Sequence, residues 1–198
     1  MLSGLALVAV AACGSGDDDT QAGIGPSRDI EFIESAETEE PVDQSEDPLD
    51  VEESKAEEIS GITQIKIPKL GVQAPIVKIK SGDDRVLTPP RDPGIVGWWS
   101  QGAAPGASTG SAILVGHAVR SGGGVFNDIG KLGSGDTIEV GSVTYKVSSV
   151  ETLSKDEVAQ QAEKLFDQSG PGRLVVVTCA DWDGKVWQSN IITIATPV

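Results

Sequence analysis

From Gly61 onward the chain is cut into short β-branched runs, and that spacing constrains the fold more than any other feature. The runs read ITQIKI (62–67), APIVKI (74–79), SAILVGHA (111–118), DTIEV (136–140), VTYKVSSVETL (143–153), RLVVVTC (173–179) and NIITIA (190–195). Gly, Pro and Asp separate them, as turns require, and seven or eight runs at such intervals predict an all-β barrel or sandwich. EVGSVTYKV reads as a hairpin with Gly141-Ser142 as its turn and Val143, Tyr145 and Val147 alternating onto one face. One helix interrupts, over 154–166. Ser154 and Glu157 have capping-box spacing, and Val158, Ala162, Leu165 and Phe166 make the apolar stripe. Pro68, Pro75, Pro89, Pro90 and Pro93 crowd the first third of the domain, which predicts short, edge-like or kinked strands there. RSGGGVF, with Gly122 to Gly124 just after a histidine, predicts a mobile loop.

The 198 residues carry a formal charge of −15, and its location decides what it means. Residues 17–58 hold 17 acidic and 2 basic residues, so they alone account for that charge. The remainder is balanced and has no basic stripe for nucleic acid. Residues 14–58 are too poor in apolar side chains to offset their ordering entropy and are expected to form a disordered acidic tether. Removing it should leave the thermal stability of the folded domain unchanged. Before it, MLSGLALVAVAAC has an apolar core too short for a membrane span and of signal-peptide length. VAAC (10–13) resembles a bacterial lipobox, which implies lipidation at Cys13; an ordinary signal peptide with an incidental Cys13 is the alternative. Either way the chain is expected to be exported, with residues 1–13 as leader and 59–198 as the folded domain.

Export sharpens the meaning of the remaining cysteine. If Cys13 is lipidated or removed, Cys179 lacks a partner in an oxidising compartment, which suits either a buried small hydrophobe or a reactive thiol. His117 is the only histidine. It ends SAILVGH as Cys179 ends RLVVVTC, and two strands that each deliver a reactive side chain to their carboxyl end suit a Cys/His site. One His and one Cys fall short of a zinc ligand set, and SGGG lacks the Lys and helix start of a phosphate loop. No metal or cofactor is expected.

GHAVRSGGGVFNDIGKLGSGDTIEV followed by VVVTCA resembles the sortases, cysteine transpeptidases of Gram-positive cell surfaces. IPKLGVQAPIV, GWWSQGAAPG and VWQSNIITIA are further similar to the actinobacterial class F branch, and the resemblance spans about 62–196. It implies the closed eight-stranded sortase-type barrel, all-β with one or two short helices. It also implies attack by Cys179 on an LPxTG-like sorting signal, transfer to an amine on a cell-wall precursor or protein, and residence on the outer face of the membrane through a lipid anchor. Most sortases carry an arginine on the last strand, and this chain has Asn190 there, an amide that donates N–H without charge. Gln188 shares the Asn190 face by strand alternation. Thr178, Gln188 and Trp98 are weaker substrate-binding candidates, while Trp98 and Trp99 equally suit one ring in the core and one on a rim. The missing arginine also admits a sortase-fold binding protein of weak or no activity. An L,D-transpeptidase or amidase fits poorly, because His117 and Cys179 lie 62 positions apart.

Overall fold

The computed structural model describes residues 62–82 and 85–198. The leader expected over 1–13 and the tether expected over 14–58 lie outside the described residues.

Eight strands close a barrel in the order β1-β2-β3-β4-β7-β8-β6-β5. They are β1 (Gln64–Ile67), β2 (Val72–Ile79), β3 (Val96–Trp99), β4 (Ser111–Val115), β5 (Thr137–Val140), β6 (Val143–Ser154), β7 (Arg173–Trp182) and β8 (Trp187–Pro197). Closure leaves no free sheet edge among them. The β5–β6 hairpin forms as its sequence predicts, with Val140 opposite Val143 and Gly141 at φ 58°. That φ lies in the left-handed region where glycine has no Cβ to clash.

The proline expectation needs correction. β2 is eight residues long and paired on both sides, antiparallel to β1 and parallel to β3. Pro75 fits because Ile76 N–H already reaches Thr63 O (2.9 Å) on the β1 side, and the β3 ladder starts only at Ile76. The missing proline N–H therefore falls just before a partner exists.

The helix is also modified. Ser154 caps it with a full capping box, but it breaks at Gln161 (φ −103°, ψ 7°) into α1 (Lys155–Gln160) and α2 (Ala162–Leu165). The apolar stripe survives the break, since Val158, Ala162, Leu165 and Phe166 are all buried.

Two apolar clusters lie on opposite sides of the sheet. Inside the barrel are Ile65, Val96, Trp98, Leu114, Phe126, Tyr145, Leu174, Val176 and their neighbours. Outside it, Ile113, Val115, Val175, Val177 and Cys179 pack with Leu87, Trp99 and the α1/α2 stripe. Alternation along β4 and β7 sends odd-numbered residues outward and even-numbered ones inward. Strands buried on both faces read as continuous apolar runs, which is why β4 and β7 are SAILV and LVVVT.

Candidate active site

β4 and β7 are parallel neighbours, and every pair from Ser111↔Arg173 to Val115↔Val177 keeps one offset. The pairing continues past the end of β4. Gly116 N–H donates to Val177 O at 3.2 Å, and the Thr178 hydroxyl donates to Gly116 O at 2.8 Å. β4 has ended by Gly116, and the same offset carried one residue past it matches His117 with Cys179, which lies on the outward face of β7.

His117 is held from two sides. Its Nε2 lies 2.7 Å from the Pro90 carbonyl oxygen. Its own carbonyl accepts from Phe126 N–H at 3.0 Å, as the following loop turns back on itself. Asn127 ties that loop shut, accepting from Val119 N–H and donating to Val119 O, both at 2.8 Å. Two of the local glycines are there for close approach rather than freedom. A Cβ on Gly116 would meet the Phe126 ring at 2.5 Å, and one on Gly124 would meet His117 O at 2.6 Å. The loop expected to be mobile from its glycines is thus a hydrogen-bonded turn built against His117.

On the other side of Cys179 stands Asn190, its direct partner in the antiparallel β7–β8 pair. Asn190 is fully buried. Its Nδ2 donates to Thr178 O at 3.1 Å and lies 3.9 Å from Cys179 Sγ. Because a carbonyl accepts only, the first bond fixes the amide's orientation. Its Oδ1 is buried with no hydrogen-bond partner. An orphaned buried acceptor costs on the order of 1–3 kcal/mol, so a donor arriving with a ligand would be favoured there.

Cys179 and Asn190 are thus direct neighbours on β7 and β8, and His117 follows two residues after the end of β4, the strand that pairs with β7 on its other side. Gln188 is exposed further along β8, where its Nε2 donates to Asp183 Oδ2 at 2.6 Å. Thr178, expected to touch substrate, is buried with its hydroxyl spent on Gly116 O, so it pins β7 to the residue before His117. Trp98, a weaker substrate-binding candidate for which a place in the core was equally expected, packs inside the barrel and donates its indole N–H to Ala103 O at 3.1 Å. Its neighbour Trp99 packs outward, in the cluster that contains Cys179.

The Cys179 sulfur is in disulfide form, where the sequence reading left it unpaired. The only other cysteine, Cys13, lies outside the described residues. The species relevant to attack is the thiol that remains when that bond is absent or reduced.

Two features escaped the sequence reading. Pro90 was noted only as a strand breaker. The β7–β8 turn was not singled out either, although Asp183-Gly184 between Trp182 and Trp187 is a hairpin signal. Asp183 accepts from Val186 and Lys185 N–H, both at 2.8 Å, and these bonds hold its carboxyl below the usual range. Trp182 and Trp187 pack edge to face, centroids 5.5 Å apart, closing the turn next to the site.

Comparison with known proteins agrees with this architecture. A sequence model of the sortase domain matches residues 65–198. Among solved structures, sortase C1 of GBS pilus island 1 superposes with a TM-score of 0.55 at 17% identity, covering 70% of this chain and 64% of that one. The chain thus spans just under two thirds of that protein. Sortase C-1 from Actinomyces oris gives 0.54 at 21% identity, covering 71% and 76%. Sortase E1 from Streptomyces coelicolor, solved with a tripeptide in its active site, gives 0.53 at 29% identity, covering 70% and 88%. No curated protein matches the chain. With the family's domain matched over most of its length and the eight-stranded barrel in place, this chain belongs to the sortase family.

Proposed function

We propose that the chain, in the form whose Cys179 is a thiol, is a cell-surface cysteine transpeptidase of the actinobacterial class F kind, held at the membrane by a lipid on Cys13. It cleaves an LPxTG-like sorting signal and passes the acyl group to an amine of a cell-wall precursor or protein. The observation that supports this reading is the parallel β4–β7 pairing up to Val115↔Val177, two residues short of His117 and Cys179, together with the direct pairing of Cys179 with Asn190.

Each residue has a chemical part. The thiolate is the nucleophile, and the His117 imidazole is the group that serves as its base. Thiolate attack on the threonine carbonyl forms the S–C bond and places negative charge on the carbonyl oxygen. Collapse breaks the C–N bond, and the imidazolium protonates the departing amine. The acceptor amine then attacks the thioester carbonyl and gives its proton to His117, and collapse breaks the S–C bond, releasing the new amide and returning Cys179 as the thiolate. Asn190 supplies an uncharged amide beside the sulfur in place of the usual arginine.

That same amide favours a second reading, binding without turnover, because one of its two N–H groups is already committed to Thr178 O. Incubation of the reduced full chain with an LPxTG peptide, read by intact mass, separates the two. A covalent adduct present in the wild type and missing in Cys179→Ala supports the transpeptidase; repeated absence of adduct at saturating peptide supports the binder.

A further inference from the structure

The hydrogen bond between His117 Nε2 and the Pro90 carbonyl has only one possible direction. A carbonyl oxygen carries no proton, so the ring nitrogen is the donor. We propose that the Pro90 carbonyl is the positioning group of this site, keeping a proton on Nε2 throughout the reaction so that Nδ1 alone exchanges protons with sulfur and amine. This assignment rests on the transpeptidase reading for its consequences, but the tautomer itself does not.

The segment that presents this carbonyl is built to hold it still. Proline fixes φ at Pro89 and Pro90, and a residue that precedes proline is confined to extended conformations, which stiffens Pro89 further. Leu87 is fully buried in the cluster that contains Cys179, and Pro89 is buried as well. Beyond Pro90, Asp92 caps the next turn, its carboxylate accepting from Gly94 N–H at 2.8 Å and its carbonyl from Ile95 N–H at 3.1 Å. Pro93 O then accepts from Val125 N–H at 2.8 Å, one residue before the amide that holds His117 O. The ring and the main chain of His117 are thereby gripped by two segments that are themselves bonded together.

The proton bookkeeping follows from that grip. Both the neutral ring with its proton on Nε2 and the imidazolium satisfy Pro90, whereas the Nδ1–H neutral ring would set a lone pair against the carbonyl oxygen. Nδ1 takes the proton of the Cys179 thiol as the thiolate forms, gives it to the leaving amine, and takes one from the acceptor amine in the second half-reaction. A backbone carbonyl thus does for this imidazole what a carboxylate does in other nucleophile-base pairs, fixing tautomer and orientation without adding a second charge.

With a single histidine in the chain, imidazole nitrogen NMR reports on one ring. The test uses the reduced, nitrogen-15-labelled full chain from about pH 5 to 9, the range in which histidine titrates. The expected neutral ring is more than about nine-tenths Nε2–H, with a proton that exchanges slowly enough to be observed directly. An Nδ1–H ring, an even mixture, or a rapidly exchanging Nε2 proton would overturn the assignment. Pro90→Ala retains the carbonyl and should retain the spectrum. Pro89→Gly combined with Pro90→Gly should give mixed tautomers and lower kcat about 3- to 10-fold with KM nearly unchanged, as expected when orientation rather than binding is lost. An unaltered spectrum in that double variant would count against Pro90 as the positioning group. An Nε2–H ring without any peptide adduct would sink the transpeptidase reading and leave the Pro90 assignment standing.

Discussion

The two faces of β7 carry similar side chains and live under different covers. Inward, Leu174 and Val176 meet residues from strands all around the barrel. Outward, Val175, Val177 and Cys179 are covered by short separate pieces: the broken helix α1/α2, the Leu87–Pro90 segment and Trp99. The inner face is sealed by the sheet's own closure, so nothing enters without unfolding it. The outer face is roofed by separate segments of chain rather than by the sheet itself, and Cys179 lies buried beneath them. Reactive groups and structural hydrophobes thus alternate along one strand because the pleat alternates.

Substitutions can break this contrast. The largest effect is expected for His117→Ala, which should lower acyl transfer on the order of 10³-fold while leaving the thermal midpoint unchanged, since proton transfer is lost but no core contact is. A large fall in midpoint would show that the outer face is as structural as the inner one. Leu114→Ala, inside the barrel, should cost about 3–4 kcal/mol in denaturant unfolding, because surrounding strands cannot collapse into the gap. Leu165→Ala, under the outer roof, should cost nearer 2 kcal/mol, because α2 has room to settle. Equal costs would erase the distinction. Asn190→Ala sharpens the contrast from within the site: if its amide supports the reaction, kcat falls on the order of 10²-fold with little change in stability.

The smallest effect concerns the roof's anchor. Ser154→Ala removes the helix cap and should cost about 1 kcal/mol. In the folded chain the Ser154 hydroxyl and amide hold the Glu157 carboxyl below its ordinary value of 4.5. A carboxyl lowered on folding contributes stability above its unfolded pKa and loses it as pH falls through the folded value. Wild-type unfolding should therefore show a loss below about pH 4.5 that is smaller in Ser154→Ala, read from denaturant midpoints across an acid series.

Much of this fold was legible because its signals are local. The 141–142 hairpin and the Ser154 cap depend on residues within a few positions of one another, and both formed as read. β3 was not among the runs: VGWW is four residues long and buried on both faces, so no alternation marks it. The break at Gln161 has no glycine or proline to announce it. Within the site, the strand-end positions of His117 and Cys179 were readable, but their register was not, because it is set by a pairing across 62 positions of chain. Which of Trp98 and Trp99 faces inward was likewise open in the sequence, because it depends on β3 pairing with β2 and β4.

The parallel β4–β7 pairing joins segments 62 positions apart, with β5, β6, α1 and α2 between them in the chain. Such non-local closure is slow compared with hairpin formation. A half-folded chain in which β4 and β7 are unpaired therefore keeps the segments that carry His117 and Cys179 apart until late in assembly.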